Sequence, residues 1–116
     1  MKYTRFYTGA DGKSHFQDVE LPMKNPAPGR LSSEDLPVKN MVFRETSPDV
    51  TQNWHPESRR QFGITLDGAV DISLSDGTNR RFGPGDVFLA EDLTGQGHTL
   101  HIVEGKPWRV LLAPIT

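Results

Sequence analysis

Glycine and proline set the limit on what this chain can fold into. Eleven Gly and nine Pro are spread over 116 residues. They fall roughly every 8–12 residues, and the runs between them are rich in Val, Ile, Phe, Thr and Leu, which is the pattern of an all-β sandwich or barrel. No segment long enough for a stable helix keeps a clean 3.6-residue apolar period without a breaker. Strand-like runs lie at 2–8, 15–21, 38–46, 61–66, 69–74, 78–82, 87–90, 98–103 and 108–113. Tight turns separate them, among them Gly9-Ala10-Asp11-Gly12, Asp67-Gly68, Ser75-Asp76-Gly77 and Gly83-Pro84-Gly85-Asp86. Neighbouring runs form hairpins, so the expected pairing is largely antiparallel, and closure into a barrel or double sheet removes the exposed edges that short strands leave.

Residues 22–37 carry four of the nine prolines. They read as a long surface tether with one helical turn at Ser33-Glu34-Asp35-Leu36. The expected organisation is one structural domain: N-terminal strands and tether over 1–37, packed on the outside of a barrel over 38–116.

Composition removes several function classes. The net charge is −2 and the isoelectric point near 6.0. No basic cluster exceeds Arg59-Arg60 or Arg80-Arg81, so no nucleic-acid partner is expected. There is no cysteine, which rules out disulfides, thiolate ligands and thiol nucleophiles. The first residues lack the apolar core of a signal peptide, and no apolar run approaches the ~20 residues of a membrane span. A soluble, cytoplasmic chain without a membrane partner is the expectation.

The polar groups suited to chemistry concentrate between Trp54 and His98. Trp54-His55-Pro56-Glu57-Ser58-Arg59-Arg60-Gln61 opens that stretch, and Gly95-Gln96-Gly97-His98 closes it. His55, Glu57 and Gln61 share parity, so a regular strand would turn them to one side. Phe62, Ile64 and Leu66 would then face out of the barrel. An apolar row there gains on the order of 1.5–3 kcal/mol per side chain from being covered, so a homodimer with isologous contacts is expected. His101 has the opposite parity to His98 and is expected to face outward.

These residues carry a family signature. The chain resembles the cupin superfamily of small β-barrels, over about residues 38–113. The first cupin motif has His-x-His, then Glu, then Gly; His55, Glu57, Gln61 and Gly68 stand at its positions. The second has Gly, then Pro-x-Gly-x-x-His, then Asn; Gly85 and Leu93-Thr94-Gly95-Gln96-Gly97-His98 fit it, with Leu93 for Pro and Ile102 for Asn. The gap between them is longer than usual around Glu91-Asp92. The run from Phe82 to Asp92 also looks like a group of small bacterial single-domain cupins with no settled activity.

The resemblance implies a jelly-roll barrel, the cupin double-stranded β-helix, with a metal site facing inward. Of the four ligand positions His55 and His98 keep the family residue, Glu57 replaces the second His, and Gln61 replaces the Glu. Two His and a carboxylate can hold a divalent ion such as Fe, Mn, Ni or Zn, with the Gln61 carbonyl as a weak fourth ligand. A metal-free alternative has His55 and His98 lining a pocket and hydrogen-bonded to Gln61, Thr65 or water. A different placement turns Glu57 to solvent against an arginine. In another, Glu57 or His98 acts as general acid or base while Arg59 or Arg60 holds a carboxylate or phosphate. Trp54 is a candidate pocket wall. The primary expectation is therefore a cupin of unassigned activity that binds a small polar or anionic molecule, with a degenerate metal site. The alternatives are a mononuclear metal enzyme (dioxygenase, isomerase or lyase) using His55, Glu57 and His98, and an interaction or sensory module.

Overall fold

The glycine-bounded runs become strands in the order in which they are written. The computed structural model describes residues 1–116. It contains β1 (Lys2–Thr8), β2 (Ser14–Glu20), β3 (Lys24–Ala27), β4 (Arg30–Ser32), β5 (Val42–Thr46), β6 (Thr51–His55), β7 (Gln61–Asp67), β8 (Ala69–Leu74), β9 (Asn79–Phe82), β10 (Val87–Glu91), β11 (His98–Val103) and β12 (Trp108–Pro114). There is no helix, so none crosses a membrane.

A six-stranded sheet, ordered β2-β1-β10-β7-β12-β5, packs on a four-stranded sheet, ordered β6-β11-β8-β9; β3 and β4 pair only with each other. This is the expected jelly roll. The pairing is antiparallel except for β1 beside β10, which run parallel. β1 and β2 form one edge of the larger sheet, and β1 delivers Phe6 to the core.

The core lies between the sheets. Val70, Ile72 and Leu74 from β8 meet Phe88 and Ala90 from β10 and Trp108, Val110 and Leu112 from β12. β7 reverses the usual rule. Gln61, Gly63 and Thr65 are buried, while Phe62, Ile64 and Leu66 lie on the outer side, less well covered. Small and polar residues inside make room. The Phe88 ring lies against Gly63, where any Cβ would collide with it. Thr65 Oγ1 accepts a 3.0 Å hydrogen bond from Trp108 Nε1, which satisfies a buried indole.

Two local expectations are corrected. Residues 33–36 form no helical turn, because they are largely exposed and an isolated turn has no apolar face to bury. The expected tether contains the β3–β4 hairpin instead. Strand β5 also starts later than residue 38, at Val42, although Lys39 N–H already bonds the Pro114 carbonyl at 2.7 Å.

Candidate metal centre

Strand register builds the site. β6 and β11 pair so that His55 stands opposite His98, and the ring centroids are 4.6 Å apart. Gly97 permits that approach. Its φ is 77°, and a Cβ there would run into the His55 carbonyl, so an L side chain would be both strained and blocked.

The loop after β6 then folds back over the cavity. Glu57 N–H donates to the Asp92 carbonyl at 3.0 Å, and Ile115 N–H donates to the Arg60 carbonyl at 2.9 Å. The Arg60 guanidinium holds Glu91, which also takes Arg5 at 2.6 Å. Pinned at both ends, the loop brings Glu57 Oε1 to 3.5 Å from His98 Nε2.

His55, Glu57 and His98 each offer a ligand atom, all within 4.8 Å of one another. Around an ion with bonds of about 2.0–2.2 Å, neighbouring donors sit about 3–4 Å apart, so a small inward movement closes the set. The protonation pattern suits it. His55 Nδ1 lies 2.5 Å from the Asn53 carbonyl. A carbonyl only accepts, so Nδ1 carries the proton and Nε2 is left with its lone pair. His98 Nδ1 lies 2.7 Å from Asp92 Oδ2, which also accepts from Ser14 Oγ at 2.7 Å. This carboxylate–imidazole pair fixes the tautomer and ring plane of a metal-binding histidine. Gln61 Nε2 donates to Glu57 Oε2 at 3.0 Å, while Gln61 Oε1 is buried with no partner. Gln61 lines the same cavity as His55, Glu57 and His98, and a buried acceptor without a donor there fits a cation. The residues present therefore fit a divalent ion.

Without an ion the same set holds a proton. Burial alone would lower the His98 pKa, but hydrogen bonds to Asp92 and Glu57, reinforced by their charges, raise it to about 9. An imidazolium held between two carboxylates is the metal-free state of the cluster.

The cluster borders a cavity of about 510 Å³. Phe6, Ile72, Phe88, Leu100, Trp108 and Leu112 supply its apolar wall. Of the residues singled out in the sequence, His55, Glu57, Arg59, Gln61 and His98 line it. Trp54 and Thr65 do not. Trp54 is exposed on β6, and Thr65 is wholly buried beneath the wall with its hydroxyl committed to Trp108. Neither histidine bonds Gln61 or Thr65; their partners are Asn53, Asp92 and Glu57. Glu57 turns inward and meets no arginine, and Arg60 faces Glu91 outside the cavity. His101 is exposed. Asp92, Ser14 and Arg44 were not singled out from the sequence. The cue for Asp92 was a carboxylate directly after the apolar strand β10; for Arg44, its place two residues from Val42 and Thr46 on the inward parity of β5.

No family model matches the sequence, and no curated protein does. Solved structures do. The fold is similar to that of protein NMB1881 from Neisseria meningitidis, with TM-score 0.52 and 10% identity over 76% of this chain and 90% of that one. It is similar to KdgF from Halomonas sp., with TM-score 0.50 and 24% identity over 82% and 89%. The cupin domain of Schizosaccharomyces pombe Cnp3 aligns at TM-score 0.42 and 10% identity, over 97% and 83%. The chain has the cupin fold.

Proposed function

We propose that this cupin-fold protein binds one divalent first-row metal ion through His55, Glu57 and His98, and receives a small polar or anionic molecule in the cavity beside it. The observation that carries this is the convergence of three ligand atoms within 4.8 Å, one of them oriented from behind by the buried Asp92. Gln61 Oε1 is the candidate fourth ligand. Imidazole and carboxylate together suit Fe, Mn, Ni or Zn better than a hard ion that prefers oxygen alone.

A second reading makes the site catalytic. His55, Glu57 and His98 would hold the ion, which would supply Lewis-acid polarisation of a ligand oxygen. The chain's own part is to orient and to exclude water. The apolar wall dries one side of the cavity, and Gln61 tethers Glu57 at 3.0 Å so that its other oxygen faces His98. That division of labour suits an isomerase, lyase or dioxygenase, and fold likeness does not choose among them.

The test is elemental analysis of purified protein, before and after incubation with each divalent ion and desalting. About one ion per chain is expected in wild type, and loss of it in Glu57→Ala and His98→Ala variants that keep a cooperative unfolding transition. A wild-type protein that retains no ion from any incubation would overturn the proposal.

A further inference from the structure

The arginines divide by what they face. Arg5 and Arg60 hold Glu91, Arg81 holds Asp71 and Arg109 holds Glu45, at 2.6–2.9 Å. Arg80 holds Asp18. Arg30 lies on the exposed β3–β4 hairpin. The remaining two, Arg44 and Arg59, both line the cavity, and neither has an ion-pair or side-chain hydrogen-bond partner in the chain. They arrive from different directions. β5 alternates, so Val42, Arg44 and Thr46 face the cavity side, while Phe43 and Glu45 face out, where Glu45 is taken by Arg109. Arg59 comes from the pinned loop that also carries Glu57. Thus five of the other six arginines are paired with carboxylates, and two are left uncompensated at one cavity, although the chain is acidic overall.

Charge reinforces the point. A divalent ion is balanced by Glu57 and Asp92, which leaves the arginines as the excess. That excess favours an anion at the cavity. The donors are side-chain guanidinium forks, with no helix N-terminus at the opening, and a planar fork matches a carboxylate in two-point fashion. Thr46, Gln52 and Ser58 line the same cavity and offer neutral hydrogen bonds suited to hydroxyl or carbonyl oxygens.

We infer that Arg44 and Arg59 form a carboxylate subsite, and that the ligand is a small hydroxy- or oxo-acid whose carboxylate rests on them while a second oxygen points to the His55–Glu57–His98 cluster. The second half rests on the metal reading above; the arginine subsite does not.

The experiment is calorimetric titration of wild type, Arg44→Ala, Arg59→Ala, the double variant and Arg109→Ala, each assayed for metal content. The probes are D-gluconate, L-malate and 2-oxoglutarate, with D-glucitol as the neutral counterpart and glycerol 3-phosphate as the phosphate arm. Saturable binding of at least one acid but not of glucitol is expected, weakened about 10- to 100-fold by either cavity substitution. Arg109→Ala and the metal content should be unchanged. The inference is overturned if none of the acids saturates, if the double variant binds as wild type does, or if only the phosphate binds. Arginine-dependent acid binding in a protein that takes up no metal would keep the subsite and sink the metal reading. Normal metal loading with arginine-independent acid binding would do the reverse.

Discussion

Asp92 has no exposed surface, yet it governs the candidate site from two atoms. Its side chain holds His98 and its carbonyl holds the backbone of Glu57. Removing such an orienting partner typically costs metal affinity 10- to 100-fold, so Asp92→Asn should weaken metal binding by about that factor while leaving the ligands in place, as competition against a chelating dye would show. The protonation of His98 gives a second prediction. Its folded pKa is raised from 6.5 to about 9 in the metal-free protein. A raised pKa stabilises the fold fully below pH 6.5, and that contribution is lost as pH climbs through 9; it is on the order of 3 kcal/mol. Urea unfolding of chelator-treated protein should therefore show stability falling between pH 6.5 and 9.5, with a much smaller fall in Asp92→Asn. An equal fall in both would detach the effect from His98. His55, Glu57 and Gln61 were legible in the sequence because they crowd into one short stretch with a family spacing. Asp92 was not, because its partner Ser14 lies 78 positions away and nothing periodic marks a carboxylate at the end of a strand.

At the scale of elements, the site depends on how closely β11 approaches β6. Gly97 sits where a methyl group would meet the His55 carbonyl, at a φ that L residues rarely adopt. Gly97→Ala should destabilise the protein by at least about 1–3 kcal/mol and reduce metal uptake together with it, read by denaturant midpoint and metal content on the same samples. If stability drops while metal uptake is retained, the approach of the two strands is not what assembles the site. The strands that bury apolar residues alternately, such as β8 and β12, were legible from their pattern. β6 was not: Thr51, Gln52, Asn53 and Trp54 are all exposed, so no alternation announces the strand, and β11 alone pairs with it. The β3–β4 hairpin was hidden for a related reason. Its prolines read as loop, and the strand containing Pro26 has no neighbour but β4 whose hydrogen bonds it could break.

At the scale of the whole molecule, the inverted strand β7 has a consequence for assembly. Turning Gln61, Gly63 and Thr65 inward opens the cavity but puts Phe62, Ile64 and Leu66 on the outer face. Tyr3 covers Phe62 edge-on, with ring centroids 5.4 Å apart. Beyond it, Phe43, Leu111, Ile64 and Val87 are neighbours across the register of four strands, and Phe43 is 69% exposed. β5 is the edge of this sheet, so its outer backbone groups are free to pair. The β3–β4 hairpin adds a second unfinished element, since a two-stranded hairpin alone is marginal in water and Leu31 on it is 68% exposed. A second copy of the chain presents the same apolar row beside the same free edge, and a two-fold arrangement would set the two rows face to face. The expected solution state is therefore a homodimer, seen by sedimentation at micromolar concentration. Phe43→Arg should shift it toward monomer without changing metal content, because Phe43 and Arg44 project to opposite faces of β5. A monomer mass independent of concentration in the wild type would show instead that the outer row stays uncovered.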